Sequence, residues 1–361
     1  MLKLFGKTLL GLLAVVVLLA LAGFGYRAWC QHLGEELLAI DSPNGIDEAF
    51  YVDVGGSEQW VTVRGRDNAN PLLLMVHGGP GVALSPLAPA LLVYERDYTV
   101  VQWDQRGAAR TLSRADGVVT GELSQEQLAK DGIAVAEHVG TRFGGGRKII
   151  VLGLSWGSGV ALEMARARPD LFAAYVGTSL FVNRAESLTA GYDAMLAQAR
   201  ADGNQLAVDE LVAIGRPPHT RPEQARTQSK WAALLAGLPP PRDAAMNRIA
   251  QLLVAPRYSL GDVASYLQGA VISDEHIDLG AVDLRTRGRV FALPVFVIQA
   301  EDDYLTPVAV ARAYLESVEA PHTALLTLRG GHNALVDNCD EFLSLLNEHV
   351  RPHALGAAGA L

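Results

Sequence analysis

One short stretch of the sequence has residue types and spacing suited to nucleophilic chemistry, Gly153 to Gly157, which has the sequence Gly-Leu-Ser-Trp-Gly. A serine hydroxyl is a weak nucleophile until a positioned base removes its proton, and that base needs a third group to orient it. An apolar run over 148–152 predicts a strand before the serine, and helix formers over 160–168 predict a helix after it. Strand, turn and helix in this order predict a nucleophile elbow that exposes Ser155 above the edge of a sheet.

The groups that could complete such a site follow two later strands. The strand predicted over 294–299 is followed by three acids, Glu301, Asp302 and Asp303, and the next strand is followed by His332 in a glycine-rich turn. A nucleophile elbow requires its partners in the chain order serine, acid, histidine. His332 is therefore the predicted base, and position alone leaves the choice among the three acids open.

Acyl transfer also needs two backbone N–H groups that stabilise the oxyanion. One is predicted at Trp156, directly after the nucleophile, and the other at Gly79, in the loop that follows a strand predicted over 72–76. Glycines in that loop permit close backbone approach. Four residues are interpreted as loop-organising rather than catalytic: His77, Gly78, Asp104 and Arg106.

Around these motifs, strands alternate with helices, which predicts an α/β fold with a mostly parallel sheet covered by helices on both faces. A helical stretch broken by prolines interrupts the alternation and is interpreted as a cap over the carboxyl edge of the sheet, where ligands bind in such folds. The predicted organisation is an anchor or signal segment 1–30, a connector 31–48, the first part of the core 49–180, the cap 181–293, the second part of the core 294–352 and a tail 353–361.

The amino-terminal segment differs from the rest of the chain. From Thr8 to Tyr26 there are 19 uncharged residues, which as a helix span about 28 Å, close to the thickness of a bilayer core. Lys3 and Lys7 precede the run, so the positive-inside rule predicts a single-pass anchor in the cytoplasmic membrane, with the remaining chain on the outer, periplasmic or extracellular side. The alternative is a secretory signal cleaved near Ala22.

We expect the connector to hold the active site clear of the lipid headgroups, which leaves soluble substrates as well suited as lipids. The cap, whose broken helices carry many charges, is not expected to contact lipid.

Composition excludes several classes of function. The 361 residues contain 30 lysines and arginines against 39 aspartates and glutamates, a net charge of −9 without a basic block, so nucleic acid is not expected as a partner. Two cysteines provide neither a disulfide framework nor a metal cluster. No cofactor and no metal are predicted, and oligomeric state is left open.

Four motifs taken together resemble one family. His-Gly-Gly-Pro-Gly at 77–81, Asp-Gln-Arg-Gly at 104–107, Gly-Leu-Ser-Trp-Gly-Ser at 153–158 and Gly-Gly-His at 330–332 are similar to the prolyl iminopeptidase group of α/β-hydrolases. The resemblance covers roughly 45–350 and implies the α/β-hydrolase fold with an inserted helical cap. It also implies release of an amino-terminal residue, often proline, from peptides, with cap glutamates that hold the substrate ammonium.

The resemblance selects Asp303 as the acid, because that family's acid lies four residues before a proline, here Pro307. The sequence departs from the family at Ala300, a glycine in the pattern, at 108–110, and at 177–183, which lacks the Arg-Gly-Ile-Phe run that begins the cap. The acids available in the cap, each of which also fits a solvated helix face, are Glu186, Asp193, Glu210 and Glu223.

The sequence thus predicts a serine hydrolase that acts through an acyl-enzyme on a small molecule or short peptide. A prolyl iminopeptidase-like aminopeptidase is the leading hypothesis, and a carboxylesterase or lactonase is the alternative. A third hypothesis is a membrane-anchored, non-catalytic binding protein on the same scaffold. Such proteins usually lose a member of the triad, whereas Ser155, Asp303 and His332 are all present.

Overall fold

The structure is a computed structural model that describes residues 2–356, with side chains described from Thr8 onward. One sheet contains β1 Ile46–Val54, β2 Ser57–Gly65, β3 Leu72–Val76, β4 Thr99–Trp103, β5 Ile149–Leu154, β6 Phe172–Thr178, β7 Val295–Ala300 and β8 Thr323–Leu328. The spatial order is β1-β2-β4-β3-β5-β6-β7-β8. The pairs β1–β2 and β2–β4 are antiparallel, and the other five pairs are parallel. This confirms the predicted mostly parallel sheet.

Helices occupy both faces and the carboxyl edge of this sheet. The α-helices are α1 Leu2–Leu37, α2 Ala88–Leu91, α3 Ala109–Arg114, α4 Gln125–Phe143, α5 Trp156–Ala167, α6 Arg184–Ala201, α7 Gln205–Ile214, α8 Pro222–Leu235, α9 Pro241–Val254, α10 Leu260–His276, α11 Val308–Leu315, α12 Ala334–Asp337, α13 Cys339–Leu345 and α14 Arg351–Gly356. Short 3₁₀ turns lie at Ser85–Leu87, Tyr94–Arg96, Leu279–Ala281 and Leu284–Arg287, and a π-helical turn lies at Leu346–Val350.

Local sequence explains the core elements. The loop between β1 and β2 has two residues, Gly55 and Gly56, both with positive φ, as a tight hairpin with this twist requires. All five residues of β3 are buried, because the helices on both faces of the sheet cover a strand that is apolar on both sides. The Ser124 hydroxyl caps α4 by accepting from the Gln127 N–H, as its position in the sequence predicts.

Two hydrophobic layers enclose the sheet. One lies beneath α4, α5 and α11 and includes Val139, Val160 and Tyr314, all almost fully buried. The other lies beneath α2, α13 and α14 and includes Leu91 and Phe342. With both faces covered, the carboxyl edge of the parallel strands is left as the open place for a site.

The five helices α6 to α10 form two units over that edge. Helices α6 to α8 share a small core of their own, in which Tyr192, Met195 and Trp231 are buried. Helices α9 and α10 pack instead on the loops after β3 and β4, through Leu252 and Tyr266 among others. The wall of the site nearest these loops is therefore built by α9 and α10.

Helix α1 differs from the predicted anchor and connector. Thr8–Leu37 is long and apolar enough to span a membrane or to serve as a signal sequence. The helix does not stop where the connector was predicted to begin, since residues 31–37 continue it without a break. The Gln31 amide donates to the carbonyls of Ala255 and Tyr258, both at 2.8 Å, and these contacts hold the extension in place.

The carboxyl terminus also differs from expectation. Helix α13 ends at Leu345, and a π-helical turn leads from it into α14, so the helical structure continues past the predicted end of the core at 352. The predicted tail begins as helix, because Ala354 and Val350 are buried against the core. The part of that tail from 357 to 361 lies outside the described residues.

Candidate active site

Ser155 lies between β5 and α5 in a backbone conformation that non-glycine residues seldom adopt. Its φ is 51° and its ψ is −123°, a strained combination that costs about 1–3 kcal/mol. The turn is held on both sides, because the Ser155 N–H donates to the Thr178 carbonyl at 2.9 Å and the Ser158 N–H donates to the Ser155 carbonyl at 2.9 Å. The hydroxyl is thereby directed above the sheet edge, as expected for a nucleophile elbow.

Two glycines make this turn possible by letting backbones approach closely. A Cβ at Gly157 would lie 2.3 Å from the carbonyl oxygens of Val76 and His77, and one at Gly153 would lie 2.5 Å from the carbonyl oxygen of Gly157. Such distances are far inside van der Waals contact, so any side chain there would push α5 away from β3 and β5. The glycines of the Gly-x-Ser-x-Gly sequence therefore let strand and helix pack closely.

His332 reaches Ser155 from the loop after β8. Its Nε2 lies 3.0 Å from the Ser155 Oγ, which is hydrogen-bonding distance. The loop is fixed from behind, because the Ser179 hydroxyl donates to the His332 carbonyl at 2.6 Å. Ser179 was not identified from the sequence and itself has a positive φ of 47°.

Asp303 is the acid that contacts His332. The His332 Nδ1 lies 3.0 Å from Oδ2 and 3.1 Å from Oδ1 of this carboxylate, which is only 2% exposed. Glu301 instead accepts from the Thr327 hydroxyl at 3.2 Å, and Asp302 lines a cavity beside the site without a hydrogen bond to His332. The geometry therefore selects the same acid that the resemblance selects.

Asp303 is solvated by protein groups in place of water. Its Oδ1 accepts from the N–H groups of Leu305 and Thr306, both at 3.0 Å, and its Oδ2 accepts from the Thr306 hydroxyl at 2.6 Å and the Gln299 amide at 3.1 Å. Burial by itself raises the pKa of Asp303, but the charge of His332 and these hydrogen bonds outweigh it, so the pKa lies below its ordinary value. Asp303 is thus ionised at neutral pH.

The ionised carboxylate fixes the tautomer of His332. A carboxylate only accepts hydrogen bonds, so Nδ1 carries the proton and Nε2 of the neutral ring is free to accept one from Ser155. Burial by itself lowers the pKa of His332, but the charge of Asp303 and its hydrogen bond outweigh that effect and raise the pKa above its ordinary value. The chain Ser155–His332–Asp303 thus has the directionality that proton transfer from a serine hydroxyl requires.

The two predicted oxyanion donors lie beside the nucleophile. Trp156 is the first residue of α5, and the N–H groups of a first helical turn have no partner within the helix. Gly78 and Gly79 line the same cavity as Ser155, and a Cβ at Gly78 would lie 3.1 Å from the Ser155 Cβ. The β3 loop and the first turn of α5 therefore both lie next to Ser155, and the role of their N–H groups as oxyanion donors stays a prediction.

The His77 side chain contacts the loops beneath the cavity and not Ser155. Its Nε2 accepts from the Gln105 N–H at 3.1 Å, so its proton is on Nδ1, which donates to the Gly78 carbonyl at 3.0 Å. Burial lowers the pKa of His77 to about 4. A permanently neutral histidine that joins the loops after β3 and β4 fits the predicted loop-organising role.

The other loop residues also lie behind the site. The Arg106 guanidinium pairs with the buried Asp131 carboxylate through Nε at 2.7 Å and Nη2 at 3.0 Å, which fixes the loop after β4 on α4. Asp104 accepts from the Arg110 N–H at 3.1 Å, and burial raises its pKa to about 6. Both contacts are structural and neither involves Ser155.

The cavity above Ser155 has a volume of about 210 Å³ and is mainly apolar. Besides the histidine, its charged wall is Arg248 of α9, whose Nη1 is buried without a hydrogen-bond partner among the described residues. The four cap acids named from the sequence are held in ion pairs: Glu186 with Arg285 at 2.8 Å, Asp193 with Arg216 at 2.6 Å, Glu210 with Lys230 at 2.5 Å and Glu223 with Arg226 at 3.0 Å.

Three further residues of the site, Thr306, Gln299 and Arg248, differ in how far the sequence indicates their roles. Thr306 lies three residues after Asp303, a spacing at which side chain and backbone commonly bond, so it could have been identified. Gln299 is a polar residue in an apolar strand, which is also a usable signal. Arg248 has no such signal, because only the packing of α9 brings it to the cavity. No group of three or more metal-binding side chains occurs within the described part of the chain.

Comparison with known proteins agrees with this architecture. The profile of the alpha/beta hydrolase fold family matches residues 71–338, about three quarters of the chain. A probable aminopeptidase, YbaC, of Bacillus subtilis is 26% identical over 310 residues, which cover 84% of this chain and 96% of that protein.

Two solved structures share the fold at low identity. The proline iminopeptidase of Mycobacterium smegmatis has a TM-score of 0.56 and 20% identity, covering 86% of this chain and 100% of its own. A membrane phospholipase A described as a bacterial virulence factor has a TM-score of 0.57 and 16% identity, covering 97% of this chain and 99% of its own. Because α1 makes up about a tenth of the chain, the second match includes most of that helix. The chain belongs to the alpha/beta hydrolase fold family and is similar to proteins named as aminopeptidase or proline iminopeptidase.

Proposed function

We propose that the protein is a serine hydrolase that cleaves an ester or amide bond through an acyl-enzyme on Ser155. The observation that carries the proposal is the unbroken hydrogen-bonded chain from Ser155 Oγ through His332 to the buried Asp303. In this mechanism the His332 Nε2 takes the hydroxyl proton as Oγ attacks the carbonyl carbon. The same nitrogen then gives that proton to the leaving group, and water attacks the acyl-enzyme in a second, similar step.

In this mechanism the negative charge of the tetrahedral intermediate is stabilised by the N–H groups of Gly79 and Trp156. Donors fixed in the backbone need no reorganisation when the charge develops, and removing one such donor typically costs about 10²–10³-fold in kcat. Asp303 acts through His332, as the positioning acid that keeps Nδ1 protonated. The geometry does not support the non-catalytic alternative, because Ser155, His332 and Asp303 lie at hydrogen-bonding distance from one another in sequence.

Two substrate classes are supported by different observations. The relatives named as aminopeptidase or proline iminopeptidase support release of an amino-terminal residue. The cavity supports a carboxylic ester, because an aminopeptidase needs a carboxylate for the substrate ammonium and the four cap acids are all paired elsewhere. The cavity instead presents a guanidinium, that of Arg248, which repels an ammonium and attracts an anionic group. On geometry, we therefore favour esters, with the aminopeptidase as second candidate.

We further propose that α1 remains attached and anchors the hydrolase domain on the outer side of the cytoplasmic membrane. The length of the apolar segment and the preceding Lys3 and Lys7 support this arrangement. The contacts of Gln31 with the domain support it as well, because they join the membrane segment rigidly to the enzyme.

The nucleophile is tested by covalent labelling. A fluorophosphonate probe is expected to modify the wild-type protein on Ser155 and to leave Ser155→Ala unmodified, since it reacts only with an activated serine. Ser344→Ala, which removes an exposed hydroxyl on α13, is the matched control and should be labelled like wild type. Labelling of another serine, or none in a protein whose circular dichroism shows it folded, contradicts the proposal.

The charge relation between Asp303 and His332 predicts the pH profile. The base must be neutral, so kcat/KM should rise with pH through the pKa of His332, which Asp303 raises above the ordinary value of about 6.5. Asp303→Asn removes the negative charge that raises the pKa of His332, whereas burial still lowers this pKa. The acid limb of the kcat/KM profile should therefore move to lower pH. Activity at pH 7 should fall by about 10⁴-fold, because the tautomer is no longer fixed.

Circular dichroism of the Asp303→Asn variant separates this effect from unfolding of the buried site. An acid limb that stays at the same pH, or that moves upward, would show that Asp303 does not set the pKa of His332.

The substrate class is tested by comparing the turnover of p-nitrophenyl esters with that of amino-acid p-nitroanilides. We expect turnover of p-nitrophenyl butyrate to exceed that of proline and alanine p-nitroanilides. We also expect Arg248→Gln to raise KM for an anionic ester, mono-p-nitrophenyl succinate, by about tenfold or more, since a hydrogen bond to a charged group contributes about 1.5–3 kcal/mol. Turnover of anilides without esters would instead favour the aminopeptidase, and an unchanged KM for the succinate would exclude Arg248 as the anion-binding group.

A further inference from the structure

A groove separate from the active-site cavity runs between the amino-terminal helix and the cap. It has a volume of about 580 Å³, and we call it the anchor groove. Its lining comes from α1, α9 and the start of α10: Ala20, Gly23, Phe24, Tyr26, Arg27, Ala250, Gln251, Leu253, Val254 and Leu260. Most of these side chains are apolar, so the groove suits a hydrocarbon chain better than a polar ligand.

The position of the anchor groove along α1 places it at the membrane surface. Four of its five α1 residues belong to the last two turns of the uncharged segment that ends at Tyr26, the outer end of the proposed span, and Arg27 follows directly. Tyr26 and Trp29 are both exposed there, as aromatic residues at membrane interfaces are. Leu253 and Leu260 are large apolar side chains exposed on the other wall. The corner between α9 and α10 therefore meets the outer leaflet.

Polar contacts hold the domain in this orientation. The Arg27 Nη2 donates to the Tyr258 carbonyl at 2.5 Å, and Gln31 bonds to the same segment between α9 and α10. One turn further on, Pro256 packs so closely that a Cβ at Gly34 would lie 3.2 Å from it. The predicted connector is therefore helical as far as Leu37 and is fixed to the segment between α9 and α10. We infer that the α9–α10 corner, unlike the rest of the cap, faces lipid, and the prediction that the cap avoids lipid stays untested.

Helix α9 separates the anchor groove from Ser155. Gln251 lines the groove, and Arg248, one turn earlier and about 4.5 Å along the helix axis, lines the active-site cavity. Leu87 is a second shared wall, because it lines both the active-site cavity and a cavity of about 330 Å³ against α1. Of the α9 side chains only Leu252 is buried, so few contacts hold this wall in place.

Two guanidinium groups between the anchor groove and Ser155 each have one buried N–H group without a partner among the described residues. Arg27 Nε, in the groove, and Arg248 Nη1, in the active-site cavity, are buried N–H donors without a hydrogen-bond partner among residues 8–356. A buried unpaired donor is costly, and a phosphate or carboxylate oxygen is the acceptor that a guanidinium prefers. This region therefore combines an apolar groove with two buried donors for an anionic group.

We propose that the substrates are glycerophospholipids of the outer leaflet, with an acyl chain in the anchor groove, the phosphate at the unpaired N–H group of Arg248 and the acyl ester at Ser155. This inference rests on the proposed function and names its substrate class. The acyl carbon moves from the glycerol oxygen to Ser155 Oγ, and that oxygen leaves with the proton from His332. Water then releases a fatty acid and restores the serine, so water is the only co-reactant.

The test uses the full chain reconstituted in vesicles of equal parts phosphatidylcholine and phosphatidylglycerol. Fatty-acid release from the vesicles is compared with turnover of p-nitrophenyl butyrate in the same sample. Leu253→Glu and Leu260→Glu each place a charge at the membrane-facing corner, and Leu206→Glu places one on exposed α7 as the matched control. We expect the ratio of lipid to soluble-ester turnover to fall about tenfold in the first two variants and to stay at the wild-type value in the control.

The inference is overturned if the wild type hydrolyses the soluble ester but releases no fatty acid, or if the corner variants keep the wild-type ratio. It is also overturned if alkaline carbonate washing leaves the protein in the soluble fraction with an amino terminus near Gly23, since α1 would then be a cleaved signal. Absence of both activities together with absence of fluorophosphonate labelling is a different result, because it overturns the proposed function itself.

Discussion

The close approach of α5 to β3 and β5 is the constraint on which the rest of the site depends. The backbones meet at Gly153 and Gly157, where even a methyl group would overlap carbonyl oxygens, and the chain between them has no room for an ordinary turn. Ser155 is therefore held at positive φ with its hydroxyl above the sheet edge. The strain persists because β5 and most of α5 are buried in the core, so the packing of the whole domain maintains the geometry of one side chain.

Two histidines at this edge show how surroundings decide the role of a residue type. His77 is buried without a carboxylate partner, so its pKa falls to about 4 and it serves as a neutral connection between loops. His332 is also shielded from water, but the ionised Asp303 beside it raises its pKa and orients its ring. In the proposed mechanism, the ability of His332 to take a proton from Ser155 therefore depends on the carboxylate of Asp303.

Much of this arrangement could be predicted because it is encoded locally. The apolar run of β3, the glycines around Ser155 and the turn before His332 each carry their own signal, and the chain order of the motifs links them to one sheet edge. Position alone left three acids possible after β7. The resemblance favours Asp303 among them, and the hydrogen bonds of the folded protein single it out as well.

What could not be predicted depends on contacts between distant parts of the chain. Gln31 is fixed by carbonyls more than 220 residues away, and Glu186 pairs with Arg285 across the whole cap. No periodicity or motif encodes such pairs. Only the structure shows that α1 packs on the domain and that the four cap carboxylates are in ion pairs. The same holds for Arg248, whose place beside Ser155 follows from how α9 packs. These long-range contacts, and not the motifs, separate the substrate hypotheses.

The central claim is that an oxyanion on a carbonyl attacked by Ser155 is met by two backbone donors while His332 handles the proton. A crystal structure of the protein inactivated with diethyl p-nitrophenyl phosphate tests it most directly, because the phosphoryl adduct has the tetrahedral shape of the intermediate and a polar P=O oxygen in the place of its oxyanion. The account predicts phosphorus bonded to Ser155 Oγ, with one oxygen about 2.7–3.1 Å from the N–H groups of both Gly79 and Trp156. An adduct on another residue, or one on Ser155 whose oxygens avoid these donors, would contradict it.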